Sequence, residues 1–269
     1  IDVAGIWEQN WQRIAESTAA IIVINNCFHG YSSGARSLFN AKKTRTHFAG
    51  LLGPRPLHVD DRQDNWKAQA EAHLQQNFFL LHTIVKQESG YAIQPEKFSN
   101  IIAAVFEPVR GEGGIYETNE SLADFLAEQE FPLISDEIQC GLGRTGTLPS
   151  YPGADYYLLG KSLGGGYEKI SAVLIDDRRF KPLFPQYYSS TFANGEMAAC
   201  VALASLELLQ RESTTELARS RGNMFSDKVQ QVANRYPDLI ESVRGKGLML
   251  GVHFRKLIGQ RNILLRVLL

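Results

Sequence analysis

An α/β fold with a mostly parallel sheet is the class this sequence predicts, and three observations carry it. Short apolar runs recur at Ile21 (IIVIN), Ile101 (IIAAVFEPV), Pro132 (PLISDEI), Asp155 (DYYLLGK) and Ser171 (SAVLID). Runs of that length read as strands buried on both faces. Between two of them, Asn119 starts a segment that places Leu122, Phe125 and Leu126 on one face, a helix N-cap followed by an apolar stripe. Strand, helix, strand is the unit from which parallel sheets are built.

The bulk properties suit such a fold. The 269 residues are 44% apolar and 21% charged, a composition that excludes collagen-like, disordered and disulfide-scaffold chains. Lys and Arg number 28 against 29 Asp and Glu, for a net charge of -1. No global field therefore favours nucleic acid or an anionic membrane, and any anion site must be local. Cys27, Cys140 and Cys200 are odd in number and far apart. That argues against a disulfide framework and against a Cys-based zinc site, and no metal is expected. No apolar run approaches the roughly 20 residues that span a bilayer, and the N-terminus lacks the order of a signal peptide. A cytoplasmic protein without a membrane partner is the expectation.

Along the chain, a long helix is predicted from about Gly195 to Arg211, then a polar helix, a break at Pro237 and a final strand in GLMLGVHF. The expected division is a large domain over 1–196 and a small C-terminal domain over 197–269, both incomplete and packed together, since no flexible linker or repeat intervenes. The stretches from Asp2 to Ala20 and from Lys256 to Asn262 match no clear element.

Two clusters compete for attention. Gly141, Gly143 and Gly146 spell G-x-G-x-x-G, but TLPSYPGAD follows with two prolines, where a dinucleotide fingerprint needs a helix whose N-terminus holds pyrophosphate. Just upstream, the strand PLISDEIQ ends in Asp136, Glu137 and Gln139, and a later strand ends in Lys161, ahead of Ser162, Leu163 and three glycines. Ligands in open α/β sheets bind beyond the carboxyl ends of strands, so an Asp and a Lys at two such ends can face one pocket. On the residues alone, an ion pair at a sheet rim is an equal alternative.

The segments FEPVRGEGG from Phe106, LISDEIQCGLGRTG from Leu133, LLGKSLGGG from Leu158, STFANGEMAACVALASLELL from Ser190 and VRGKGLMLG from Val243 resemble, in order, the signatures of class III pyridoxal-phosphate aminotransferases, the ornithine, acetylornithine and 4-aminobutyrate type. CFHG at Cys27 resembles their aromatic-His-Gly turn. The resemblance implies a fold-type I transferase with a seven-stranded, mostly parallel sheet and pyridoxal 5'-phosphate as cofactor. It implies amino-group transfer to a keto acid, aldehyde or ketone by a ping-pong cycle.

The same resemblance distributes roles. Lys161 is similar to the lysine that holds the cofactor aldehyde as a Schiff base and then moves the proton. Asp136 is similar to the acid beside the ring nitrogen, which keeps that nitrogen protonated by charge attraction. Phe28 resembles the ring that stacks on the pyridine, supported by His29, and Gln139 the residue near the ring hydroxyl. Thr191 resembles the threonine that reaches a partner's cofactor phosphate, which implies a homodimer with shared sites. Glu107 and Glu112 resemble an acidic pair at the substrate pocket, and Arg266 an arginine that clamps a substrate carboxylate. The residues by themselves leave open a core phenylalanine at 28, a turn or cap pair at Ser190 and Thr191, and a surface arginine at 266.

Some features depart from the family pattern. Its glycine-containing phosphate turn has no counterpart, AESTAA at Ala15 being the nearest string, and Tyr31 follows the aromatic-His-Gly turn where Arg is usual. The chain is also shorter than the family norm. An aminomutase or racemase of the same fold, and a cofactor-free binding module, are the rival expectations.

Overall fold

A computed structural model of the chain describes residues 1–39, 53–183, 186, 193 and 195–255. Helix α1 (Val3–Glu16) opens it, with the Asp2 carboxylate capping the Gly5 amide at 3.0 Å. This corrects the expectation that the stretch from Asp2 held no clear element. Val3, Trp7, Trp11 and Ile14 do recur at helical spacing, but the stripe they form faces outward, with Trp7 67% exposed and no residue of the helix buried.

Strand β1 (Ala20–Ile24) follows, then helix α2 (Ser33–Ser37), strand β2 (Arg55–Val59) and helix α3 (Trp66–Gln76). Strands β3 (Phe78–Gln87) and β4 (Gly90–Ser99) form a separate antiparallel hairpin. Asn10 of α1 bonds both the amide and the carbonyl of His82, and Arg13 bonds the carbonyl of Leu80. Two helix side chains thereby satisfy backbone groups on the outer edge of β3. The elements from β2 to the hairpin went unpredicted.

Strand β5 (Ile101–Phe106) leads to the short pair β6 (Val109–Arg110) and β7 (Tyr116–Glu117), and then to helix α4 (Glu120–Ala127). Asn119 caps α4 as predicted, accepting from Ser121 N, and Leu122 and Leu126 are buried. Strands β8 (Leu133–Asp136), β9 (Tyr156–Leu159) and β10 (Ala172–Ile175) complete the central sheet.

That sheet runs β10-β9-β8-β5-β1-β2. Every neighbouring pair is parallel except β10 against β9. The described residues thus supply six strands where seven were expected. Ile22, Ile24, Leu57, Val59, Phe106 and Leu133 meet Ala70 of α3 and Leu122 and Leu126 of α4 in the main core. Each fully buried aliphatic there contributes about 1.5–3 kcal/mol.

Beyond the sheet come helices α5 (Glu196–Arg211) and α6 (Thr214–Arg235) and the hairpin β11 (Ile240–Lys246) with β12 (Met249–Phe254). Ala202 and Leu209 of α5 pack against Leu142, Leu159 and Leu163, which fastens this helix to the turn that carries Lys161. The G-x-G-x-x-G string starts no helix. Gly143 and Gly146 have φ of 83° and 84°, and a Cβ on Gly146 would stand 2.7 Å from Cβ of Arg219, so these glycines let the loop lie against α6.

Candidate active site

Phe28, His29, Gly30, Glu107, Asp136, Ile138, Gln139 and Lys161 line one cavity of about 100 Å³. They follow the carboxyl ends of β1, β5, β8 and β9, where an open parallel sheet leaves its crevice. Asp136 is the last residue of β8 and is buried, with Oδ2 2.8 Å from Nδ1 of His29 and Oδ1 accepting from the Ile138 amide at 3.2 Å. The His29 side chain is 3% exposed, and its Nε2 is buried with no hydrogen-bond partner. An imidazole held this way fixes the carboxylate from behind.

Lys161 enters through a different local device. Its φ of 47° is left-handed, unusual for a residue with a Cβ, and it begins a 3-10 turn over Lys161–Gly164. Such backbone strain, of order 1–3 kcal/mol, clusters at functional positions. From there Nζ donates to Oε1 of Gln139 at 2.9 Å. The half-buried Phe28 ring lies 5.2 Å from Tyr31 and 5.3 Å from Phe39 between centroids, so it is part of an aromatic cluster as well as of the cavity wall.

The expected acidic pair separates. Glu107 is 3% exposed, and its carboxylate accepts from the Phe28 amide at 2.7 Å and the Gly111 amide at 3.3 Å. Burial holds its carboxyl above the ordinary value, and the two backbone donors oppose that shift. Glu107 therefore anchors the cavity wall. Glu112 points to solvent and does not line the cavity, because the turn after Arg110 carries it outward. Thr191 and Arg266 lie outside the described residues.

The AESTAA string is the wrong end of a helix for a phosphate. Glu16 closes α1 and Ser17 is its C-cap, with Ser17 Oγ donating to the Ile14 carbonyl, so the groups on offer there are carbonyls. Neither buried cysteine suits nucleophilic work. Burial pushes the Cys27 thiol far up and the Cys140 thiol up to about 12.

One pair escaped the sequence reading. Arg110 and Asp61 form a bidentate ion pair, both side chains 1% exposed, with Nη1 to Oδ1 at 2.9 Å and Nη2 to Oδ2 at 2.6 Å. Arg110 also donates to the carbonyls of Asn25 and Glu117, and Asp61 accepts from the Asn119 amide. The pair ties the ends of β1, β2 and β7 and the start of α4 beneath the wall that Glu107 and Phe28 form. An arginine beside the apolar Val109 of β6, at a strand end, was the available signal.

Residues 3–267 match the family model of the class III aminotransferases. The chain belongs to this family. Ornithine aminotransferase 1 of Staphylococcus saprophyticus is 32% identical over 260 residues, covering 94% of this chain and 58% of that protein. The mitochondrial ornithine aminotransferase of Oryza sativa is 30% identical over 254 residues, covering 91% and 49%. The ornithine aminotransferase of Toxoplasma gondii, a structure with partial occupancy of PLP at its active site, superposes with a TM-score of 0.73 at 27% identity, covering 94% of this chain and 56% of that one. The class III chain described here thus spans between 49% and 58% of the length of these relatives.

Proposed function

We propose that this chain carries the cofactor-binding core of a pyridoxal-phosphate transaminase that moves an amino group from an amino acid to a keto acid, aldehyde or ketone. The observation that supports this most is the gathering of a lysine amine, a carboxylate backed by imidazole, an amide and an aromatic ring around one cavity. That donor set fits a pyridine aldehyde: a primary amine for the aldehyde, a negative charge for the ring nitrogen, a flat apolar face for the ring.

When bound, pyridoxal phosphate supplies the electron sink that lets a proton leave the substrate α-carbon. Asp136 would hold the proton on the ring nitrogen, with its carboxylate oriented by His29 Nδ1 and the Ile138 amide. Lys161 would anchor the cofactor and, once released, carry the proton as a free amine, with Gln139 accepting from its Nζ. Phe28 would offer its ring to the cofactor from the cavity wall, its backbone amide donating to Glu107. The names of the relatives make ornithine the first donor to try.

The proposed division into a large domain over 1–196 and a small one over 197–269 draws support from α6 packing on β11 and β12, while α5 packs against Leu159 of β9 and Leu163, on the large-domain side of that boundary. A homodimer with shared sites is supported by the resemblance at Thr191 and by the outward face of α1, where Trp7 and Trp11 stack at 6.1 Å. None of the described helices is long and apolar enough to cross a membrane.

Borohydride reduction of the cofactor-loaded protein, followed by peptide mapping, tests the central reading. A pyridoxyl label on Lys161 and loss of cofactor absorbance on adding ornithine are the expected results. Label on another lysine, or no cofactor uptake at all, refutes it, and uptake without amino transfer leads to the aminomutase or racemase rival.

A further inference from the structure

We propose that Gly111 is a positioning residue for Lys161, acting through Gln139; the inference rests on the reading of Lys161 as the cofactor lysine. Gly111 does not have a left-handed φ, so its backbone conformation is open to any residue. Space is what demands glycine there. A Cβ on Gly111 would stand 2.5 Å from Cδ and 2.7 Å from Nε2 of Gln139, and closer still to Oε1. The bare Cα of Gly111 is therefore the floor on which the Gln139 amide rests.

Gln139 needs such a floor because its side chain is exposed. A glutamine facing solvent loses side-chain entropy when it holds one geometry, and a single exposed hydrogen bond only just offsets that loss. Close packing against Gly111 on one side and the 2.9 Å bond from Lys161 Nζ on the other select the observed rotamer. Gly111 is itself held in place, since its amide donates to Oε1 of the buried Glu107 at 3.3 Å and its carbonyl accepts from the Gly114 amide at 3.2 Å. The order of support runs from Glu107 to Gly111, to Gln139, to the amine of Lys161.

The geometry also makes the proposal separable from a folding defect. The atoms a new Cβ would meet belong to the far end of a flexible side chain, so Gly111→Ala moves the Gln139 amide and leaves the backbone where it is. What changes is the aim of the lysine amine.

The test is a double-mutant cycle on the full chain, freed of cofactor and reloaded with pyridoxal 5'-phosphate. Timed borohydride quenching and peptide mapping read the rate at which label appears on Lys161. Gly111→Ala and Gln139→Ala should each slow capture by about threefold to tenfold, the net worth of one typical hydrogen bond. Their thermal midpoints should stay at the wild-type value. The double variant should be no slower than Gln139→Ala alone, because the new methyl then has no amide to displace. Additive slowing, or wild-type capture by Gly111→Ala, overturns the assignment of Gly111. Wild-type protein that takes label on other lysines as fast as on Lys161 overturns the reading of Lys161 itself, and this inference with it.

Discussion

Replacing Asp61 by alanine is the most demanding trial of how the cavity wall is held. The Asp61 carboxylate accepts three hydrogen bonds, two from Arg110 and one from the Asn119 amide at 3.0 Å. Asp61→Ala leaves the Arg110 guanidinium in the interior with the carbonyls of Asn25 and Glu117 and the Tyr116 ring 5.9 Å away, its Nε already lacking a hydrogen-bond partner. Stranding a buried charge in this way costs about 3–5 kcal/mol, and the orphaned Asn119 amide accounts for about 1 kcal/mol of it. Against a net stability of about 5–15 kcal/mol, the loss is plain in a urea titration as a lower midpoint with unchanged slope. The double variant Asp61→Ala with Arg110→Met removes the stranded charge and should recover about 1–3 kcal/mol relative to Asp61→Ala. An Asp61→Ala midpoint within about 1 kcal/mol of wild type, or a double variant whose losses simply add, would refute the view that the pair acts as one buried unit.

Two further substitutions separate chemistry from folding. Asp136→Asn should keep cofactor bound and the fold intact while slowing proton removal from the amino donor by roughly a hundredfold or more, since a neutral amide cannot hold the ring proton by charge. Near-native single-turnover rates would return Asp136 to a structural role. Glu137 tests the pH dependence: burial holds its carboxyl above the ordinary value, so the folded chain keeps a proton that the unfolded chain releases. Its contribution is full below the ordinary carboxylate range and is lost as pH rises through the folded value; Glu137→Gln should flatten that decline by up to ~1.4 kcal/mol per pH unit within the window. Urea midpoints measured from about pH 4 to 8 decide it, and an unchanged slope counts against a protonated Glu137.

The sheet was readable wherever burial left a continuous apolar run. β1, β8, β9 and β10 appear within a residue or two of the predicted runs, β5 stops three residues short of its run, and Asn119 caps α4 where its side chain said it would. Helix α1 carries Val3, Trp7, Trp11 and Ile14 at helical spacing, but that stripe faces solvent and buries nothing, so core patterning does not mark it. At the site, Asp136, Gln139 and Lys161 were legible because strand ends mark them. Glu112 and Glu107 could not be told apart, because only the turn at Gly111–Gly114 sends one outward and the other in. Asp61 and Arg110 lie 49 residues apart, and nothing local joins them.

That separation is general to the cavity and follows from the parallel sheet. The Phe28 amide meets Glu107 across 79 positions, His29 meets Asp136 across 107, and Lys161 meets Gln139 across 22. No short peptide holds any of these pairs. What brings them together is that β1, β5, β8 and β9 are hydrogen-bonded side by side in one direction, so residues just past each strand fall on one rim. The buried Arg110 pair and the doubly bonded Glu107 then fix the wall on the β1 and β5 side, and the strained turn at Lys161 with Gln139 on Gly111 aims the amine from the β8 and β9 side. Substituting Asp61, Arg110 or Glu107 should loosen cofactor and protein stability together, and substituting Gln139 should slow capture while stability holds, because the first three side chains are buried and Gln139 is exposed.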